Sequence, residues 1–202
     1  MNSATLYLPY LPNLWWFSNF LKHETVIIER EEKFVKSSFR NRCIISGANG
    51  IQILSIPVIG GRDHQQFYKE VEISNHYYWH NKHWKSILSA YGSTPYFGYY
   101  ADRLEPLYKK PQPSLFEFNL ELLNTLLPLL KVNKEFTFTS VYEKNPAGTL
   151  DLRSVKSTEE QLHTQRYYQV FENKNGFIAN LSIIDLLFHL GPKSKDYLLS
   201  LK

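Results

Sequence analysis

The chain predicts an α/β fold, a mixed sheet with an N-terminal βαβ-like unit, a β-hairpin and a helical C-terminal half. Three observations carry this expectation. The β-branched run TVIIE (Thr25–Glu29) follows an apolar run and a helix-like segment within the first thirty residues. Asn49-Gly50, a strong hairpin signal, sits between two apolar stretches. Leucine and phenylalanine then recur at three- and four-residue steps from Leu115 to Leu129.

Taken in order, Ala4–Leu8 is a short strand stopped by Pro9, and Pro12 stands where a first-turn proline is tolerated. Trp15, Trp16, Phe17, Phe20 and Leu21 give the next helix its apolar face, and Thr25–Glu29 returns as a strand. A βαβ opening of this kind places a site at the strand ends. RCIIS and GIQILSIPV flank the turn Gly47–Gly50 as a hairpin. VEIS (71–74) reads as another strand. A helix spans Trp79 to about Tyr91, and Pro95 opens a shorter one through Tyr100. The clearest helix is PSLFEFNLELLNTLLPLL, in which Pro128 threatens a kink. EFTFTS (135–140) alternates as a strand does, 143–165 reads as a long loop, and RYYQVF (166–171) as a further strand. Ser182 with Asp185 makes a capping-box-like start to a last helix, which Gly191-Pro192 stops.

At 202 residues, with 43% hydrophobic and 15% aromatic residues, one domain over 1–202 is expected. Twenty-three Lys and Arg against 19 Asp and Glu leave +4, which permits an anionic ligand. It lacks the clustered basic runs of a nucleic-acid binder. A single cysteine fits a reducing compartment, and MNSATLYLPYLPNLWWF lacks the basic start of a signal peptide. With no apolar run long enough to span a bilayer, a cytoplasmic protein without membrane insertion is expected.

P-loop, G-x-G-x-x-G, G-x-S-x-G, H-E-x-x-H and paired C-x-x-C motifs are all absent. His76, His80 and His83 would share a face if one helix began before His76, but a plain polar face is the stronger reading and no metal is assigned. Cys43 follows Arg42 and reads as a small buried hydrophobe sooner than as a nucleophile. Lys36, Arg40, Asn41 and Arg42 precede a buried hairpin, where two arginines cannot both enter the core. Their planar donor forks suit phosphate or carboxylate. Aromatics beside Pro and Gly, in LPYLPNLWWF and YGSTPYFGYY, fill core or expose faces that stack a sugar or a base. Asp151, Asn180 and Asp185 are polar groups near structural breaks, the last two explained by capping.

LPYLP followed by WF, KSSFRNRCII, GIQILSIPV, KHWKSILSAYGSTPYFGYY, YYQVF and GFIANLSIIDLLFHLGP occur in order over nearly the whole chain. Together these stretches resemble the WbqC-like protein family. The resemblance implies a role in bacterial O-antigen and other surface-polysaccharide biosynthesis. It carries over Pro9, Pro12, Lys36, Arg40, Asn41, Arg42, His83, Trp84, Tyr91, Pro95, Tyr96, Asn180, Ser182 and Asp185 as site positions. Where it leads one to expect a histidine shortly after the second strand, this chain has Glu31, so no acid–base role carries over there. The opening is similar, more distantly, to the strand, proline turn and helix of nucleotidyltransferase folds, but PNLWWF lacks the histidine pair those enzymes use.

The expectation is a transferase on a nucleotide-linked amino sugar. Arg40 and Arg42 would hold the diphosphate, or the phosphate of an activated acyl donor, His83 would act as general base, and Asp185 and Asn180 would orient the amine or hydroxyls. Lys36, Asn41, Trp84, Tyr91, Tyr96, Pro9, Pro12 and Ser182 complete the expected binding set. No cofactor is assigned. The alternative is a non-catalytic binding or assembly subunit of the same pathway. A deep polar cleft joining Arg40, Arg42, His83 and Asp185 favours the enzyme, and a broad exposed aromatic patch the subunit. If SIIDLLF opened an exposed C-terminal hairpin, a homodimer through it would follow.

Overall fold

A computed structural model describes residues 2–60, 66–154 and 165–201. Strand β1 (Ser3–Tyr7), helix α1 (Leu14–Lys22) and strand β2 (Thr25–Glu29) form the expected βαβ unit, with β1 and β2 parallel and Tyr7 opposite Glu29. Strands β3 (Arg42–Gly47) and β4 (Gly50–Ser55) form the hairpin, with Gly50 at φ +100°, a conformation natural to glycine. Helices α2 (Trp79–Tyr91), α3 (Phe97–Leu104) and α4 (Leu115–Leu129) follow. Pro128 lies in the last turn of α4, so the break it makes in the ladder falls where the helix ends. Two-residue strands β5 (Thr137–Phe138) and β6 (Leu150–Asp151) come next, then α5 (Glu172–Asn175), α6 (Ile183–Leu190) and α7 (Ser194–Ser200).

The α/β class holds, with the sheet in two pieces: a parallel four-strand sheet in the order β5-β2-β1-β6, and the separate antiparallel hairpin. In the parallel sheet, Ala4, Leu6, Val26 and Ile28 on one face join the core. The other face is polar at its carboxyl end, where Thr5, Tyr7, Glu29 and Asp151 lie together by register.

Three expectations are corrected. VEIS is not a strand. Val71 and Ile73 are buried, but pairing is limited to single bridges, Val58 with Ile73 and Glu72 with Ser114, because the flanking chains carry Pro57 and Pro113, which cannot donate to a ladder. RYYQVF is not a strand either, although Tyr167 and Gln169 point inward and Tyr168 outward. The stretch read as a loop contains β6, which pairs with Ala4 and Thr5. Its residues 155–164 lie outside the described residues.

The start of α1 is closed. The N–H groups of Leu14, Trp15 and Trp16 donate to Leu181 O (3.2 Å), Asn180 Oδ1 (2.9 Å) and Asn13 Oδ1 (2.9 Å). Ser182 holds the preceding turn by donating to Leu11 O (3.0 Å). Leu11 sits there at φ +41°, a left-handed conformation costly for leucine that neighbouring hydrogen bonds maintain. A helix N-terminus that would otherwise offer free N–H groups to an anion therefore offers none. Helix α6 is buried from Ile183 to His189, so the exposed C-terminal hairpin does not exist. Among the described residues no helix is long and apolar enough to cross a membrane.

Candidate functional site

In open parallel sheets, ligands bind beyond the strand carboxyl ends where the chain's direction of travel reverses. Here β2 lies on one side of β1 and β6 on the other, which makes the β1–β6 crevice that point. A cavity of about 860 Å³ opens there, with Tyr7 from the end of β1 and Asp151 from β6 in its wall. The turn before the hairpin and the hairpin itself form the opposite side. Five basic residues, Lys33, Arg40, Arg42, Lys144 and Arg153, line it against two acidic ones, Glu32 and Asp151.

Beneath the cavity lies a network of paired charges. Glu29, fully buried at the end of β2, accepts from Arg153 Nη1 (2.8 Å), Thr139 Oγ1 (2.7 Å) and the Glu31 N–H (2.7 Å). Arg153 also donates to both oxygens of Asp151 (2.8 and 2.7 Å), which holds the Asp151 carboxyl below its ordinary range. Its guanidinium stacks on Tyr142, 5.1 Å from the ring centroid. Arg40 forms a bidentate pair with Glu32, both bonds 2.6 Å, over the Tyr7 ring at 4.6 Å. Burial pushes the Glu32 carboxyl up, and the Arg40 guanidinium pulls against it.

Arg40 is thus committed to a buried carboxylate. Arg42 is not: it is half-buried, reaches Ser55 Oγ at 3.4 Å and makes no ion pair among the described residues. Lys144 is exposed at the rim. Of the expected site residues, Arg40 and Arg42 line the cavity and the others do not.

Lys36 is exposed beside the turn, and Asn41 ties that turn to the hairpin by donating to Ile56 O (3.1 Å) while accepting from the Ser37 N–H (3.1 Å). Pro9 and Pro12 are buried in the turn after β1, next to the Asn180 and Ser182 clamp on α1. Trp84 stacks between Phe97 and Tyr108. Pro95 is exposed, and Tyr96 packs on Gly191, where a Cβ would meet its ring at 2.5 Å. Tyr91 is buried, its hydroxyl accepting from the Ser46 N–H (3.3 Å).

His83 lies against Tyr10 and Trp79, its Nδ1 2.9 Å from the Tyr10 hydroxyl. Burial lowers the imidazole to about 4, opposed by the Ser55 backbone, so the ring is neutral at pH 7. His76 precedes α2, which leaves the three-histidine face unformed, and no group of three His, Cys, Asp or Glu among the described residues could hold a metal. Burial likewise pushes the Cys43 thiol well above its ordinary range.

Asp185 is fully buried in a second polar cluster. It accepts from the Tyr167 hydroxyl (2.6 Å), and Gln169 Nε2 approaches at 3.5 Å. Burial raises its carboxyl, with His189, Tyr167 and Tyr91 pulling back. His189 Nε2 accepts from the Val170 N–H (3.0 Å), so Nδ1 carries the proton given to Asp185 O (2.7 Å). Asp185 therefore does not complete a capping box; the Ser182 side chain is spent on Leu11.

Sequence reasoning passed over Glu29, Glu32, Arg153 and Tyr7 as site residues. Tyr7 and Glu29 end strands that were recognised, and a question about what stands at the ends of parallel strands would have found them.

A parallel-sheet α/β protein with a cationic cavity beyond its strand ends is the class these features define. The chain belongs to the WbqC-like protein family, which it matches over residues 8–172, a span that includes every cavity residue except Tyr7. It is 26% identical over 220 residues, 94% of each chain, to the uncharacterized protein Rv1507c of Mycobacterium tuberculosis. No solved structure matches it.

Proposed function

We propose that this cavity binds the anionic part of a nucleotide-linked amino sugar, and that the protein is a cytoplasmic transferase of bacterial surface-polysaccharide biosynthesis. The observation that carries the reading is the excess of basic side chains around a cavity of about 860 Å³ at the β1–β6 reversal. Arg42 and Lys144 have guanidinium and ammonium donors to give a diphosphate. Asp151 and Glu32, acceptors on the same wall, suit an amine or sugar hydroxyls. In this reading Arg40 and Arg153 act as positioning residues, because each is held by a carboxylate. His83 and Asp185 support the fold around the site without touching the ligand.

The test is calorimetric titration with nucleoside diphosphates and nucleotide-linked amino sugars, repeated with Arg42→Gln plus Lys144→Gln. One ligand should bind, and the variant should weaken it at least about tenfold, as expected for charged hydrogen bonds. Equal affinity in a folded variant would sink the reading. Absence of binding by the whole panel would favour the non-catalytic subunit.

A further inference from the structure

The cavity is lined by apolar as well as charged side chains. Val35, Phe39, Ile44 and Ile53 are among the apolar ones. The hairpin register orders part of this lining. Arg42 pairs with Ser55, Ile44 with Ile53 and Ser46 with Ile51, and these three pairs share the face turned away from core residues Cys43, Ile45 and Leu54. Starting at the arginine, an apolar strip therefore runs along the hairpin for about 13 Å at the usual rise per strand residue. It leaves the cavity at Ile53 and ends at Ile51, which are 56% and 61% exposed, with Val35 at 54% beside the mouth.

Isoleucines on an exposed strand face are disfavoured unless something covers them, and here they adjoin cationic groups within one cavity. From this arrangement the geometry points to a substrate with two parts: a phosphate-bearing head held at Arg42, and an aliphatic arm laid along Ile44, Ile53 and Ile51. This deepens the reading above and rests on it. The shared chemistry is an anionic amphiphile, whose arm is an acyl-type straight chain or an isoprenoid. A bare nucleotide sugar would leave the strip uncovered.

The test is a homologous series of inorganic phosphate and butyl, hexyl and octyl phosphates, titrated below their micelle concentrations into the full chain. A strip that covers one side of the arm recovers half the full-burial value, so affinity should rise about twofold per methylene. Ile53→Gln, a change at an exposed position, should flatten that rise and leave inorganic phosphate, which has no arm, unaffected, whereas Arg42→Gln should weaken every member alike. Farnesyl phosphate against dodecyl phosphate then tells the two arm types apart, and tighter binding of either supports the proposal.

Equal affinity across the series overturns the arm while the anion site stands. Loss of nucleotide-sugar binding as well removes both. If the series shows no length dependence and the free protein self-associates in a manner that Ile53→Gln abolishes, the strip is a contact between copies and the proposal fails.

Discussion

Two buried polar regions of this protein solve the same physical problem in opposite ways. At the strand ends, Glu32, Arg40, Asp151 and Arg153 pair with opposite charges beside a cavity and Glu29 pairs beneath it, with bond lengths of 2.6 to 2.8 Å. Deeper in the fold, burial works against charge on His83 and Asp185, each of which meets a tyrosine hydroxyl. Charge is expensive to bury and is kept where a partner of opposite sign meets it. Ion pairs beside a cavity mark the strand ends, and polar groups without an arginine or lysine partner mark the core under the helices.

The largest way to break this comparison is Arg153→Leu, which strands the buried Glu29 carboxylate. We expect a loss of about 3–5 kcal/mol in urea unfolding, since removal of one partner leaves an uncompensated charge. Adding Glu29→Gln should recover most of it, and a cost below about 1 kcal/mol for the single variant would show that the pair does not hold the strand ends together.

His83 gives the next effect. Its folded value of about 4 lies below the ordinary histidine range, so the unfolded chain binds the proton more readily as pH falls. The stability it contributes is full above about 6.5 and is lost towards pH 4, about 3 kcal/mol in all. Unfolding midpoints of His83→Gln should lack that share of the slope.

Asp185 has the opposite sign. Its folded carboxyl is raised, so its contribution is full below about 3.9 and is lost as pH rises through the folded value. Asp185→Asn, a neutral isostere, should remove this dependence while costing less than about 1 kcal/mol at acid pH, where both side chains are uncharged. A larger loss there would show that the carboxylic acid itself is required by Tyr167.

The smallest effect belongs to Arg42→Gln, which breaks no ion pair and should leave stability within about 0.5 kcal/mol. That separates its expected ligand role from the structural role of Arg40, whose loss would leave Glu32 unpaired.

Part of this was legible in the chain. The hairpin was readable from Asn49-Gly50, and β1, α1 and β2 from their apolar periods, because these features are set by neighbours in sequence. Alternation misled at RYYQVF. Burial of Tyr167 and Gln169 beside an exposed Tyr168 imitates a strand, yet the Val170 N–H goes to the His189 side chain and the Gln169 carboxamide serves Ile178. Period reports which side chains are buried, and says nothing of a partner strand.

By itself the sequence determined the α/β class, the hairpin, and that Arg40 and Arg42 could not both enter the core. These follow from local conformational preference and the cost of burying charge. The tertiary structure decided which arginine is free. Glu32 claims Arg40, and Arg153 is brought to Glu29 across 124 residues of chain. It also decided that β6 exists, since two residues carry no readable period and acquire strand form only from the edge of β1 they complete, whereas β5 lies inside EFTFTS, whose alternation was readable. Pairing between distant segments depends on where the whole chain has folded, so the site became visible only once four strand ends stood side by side.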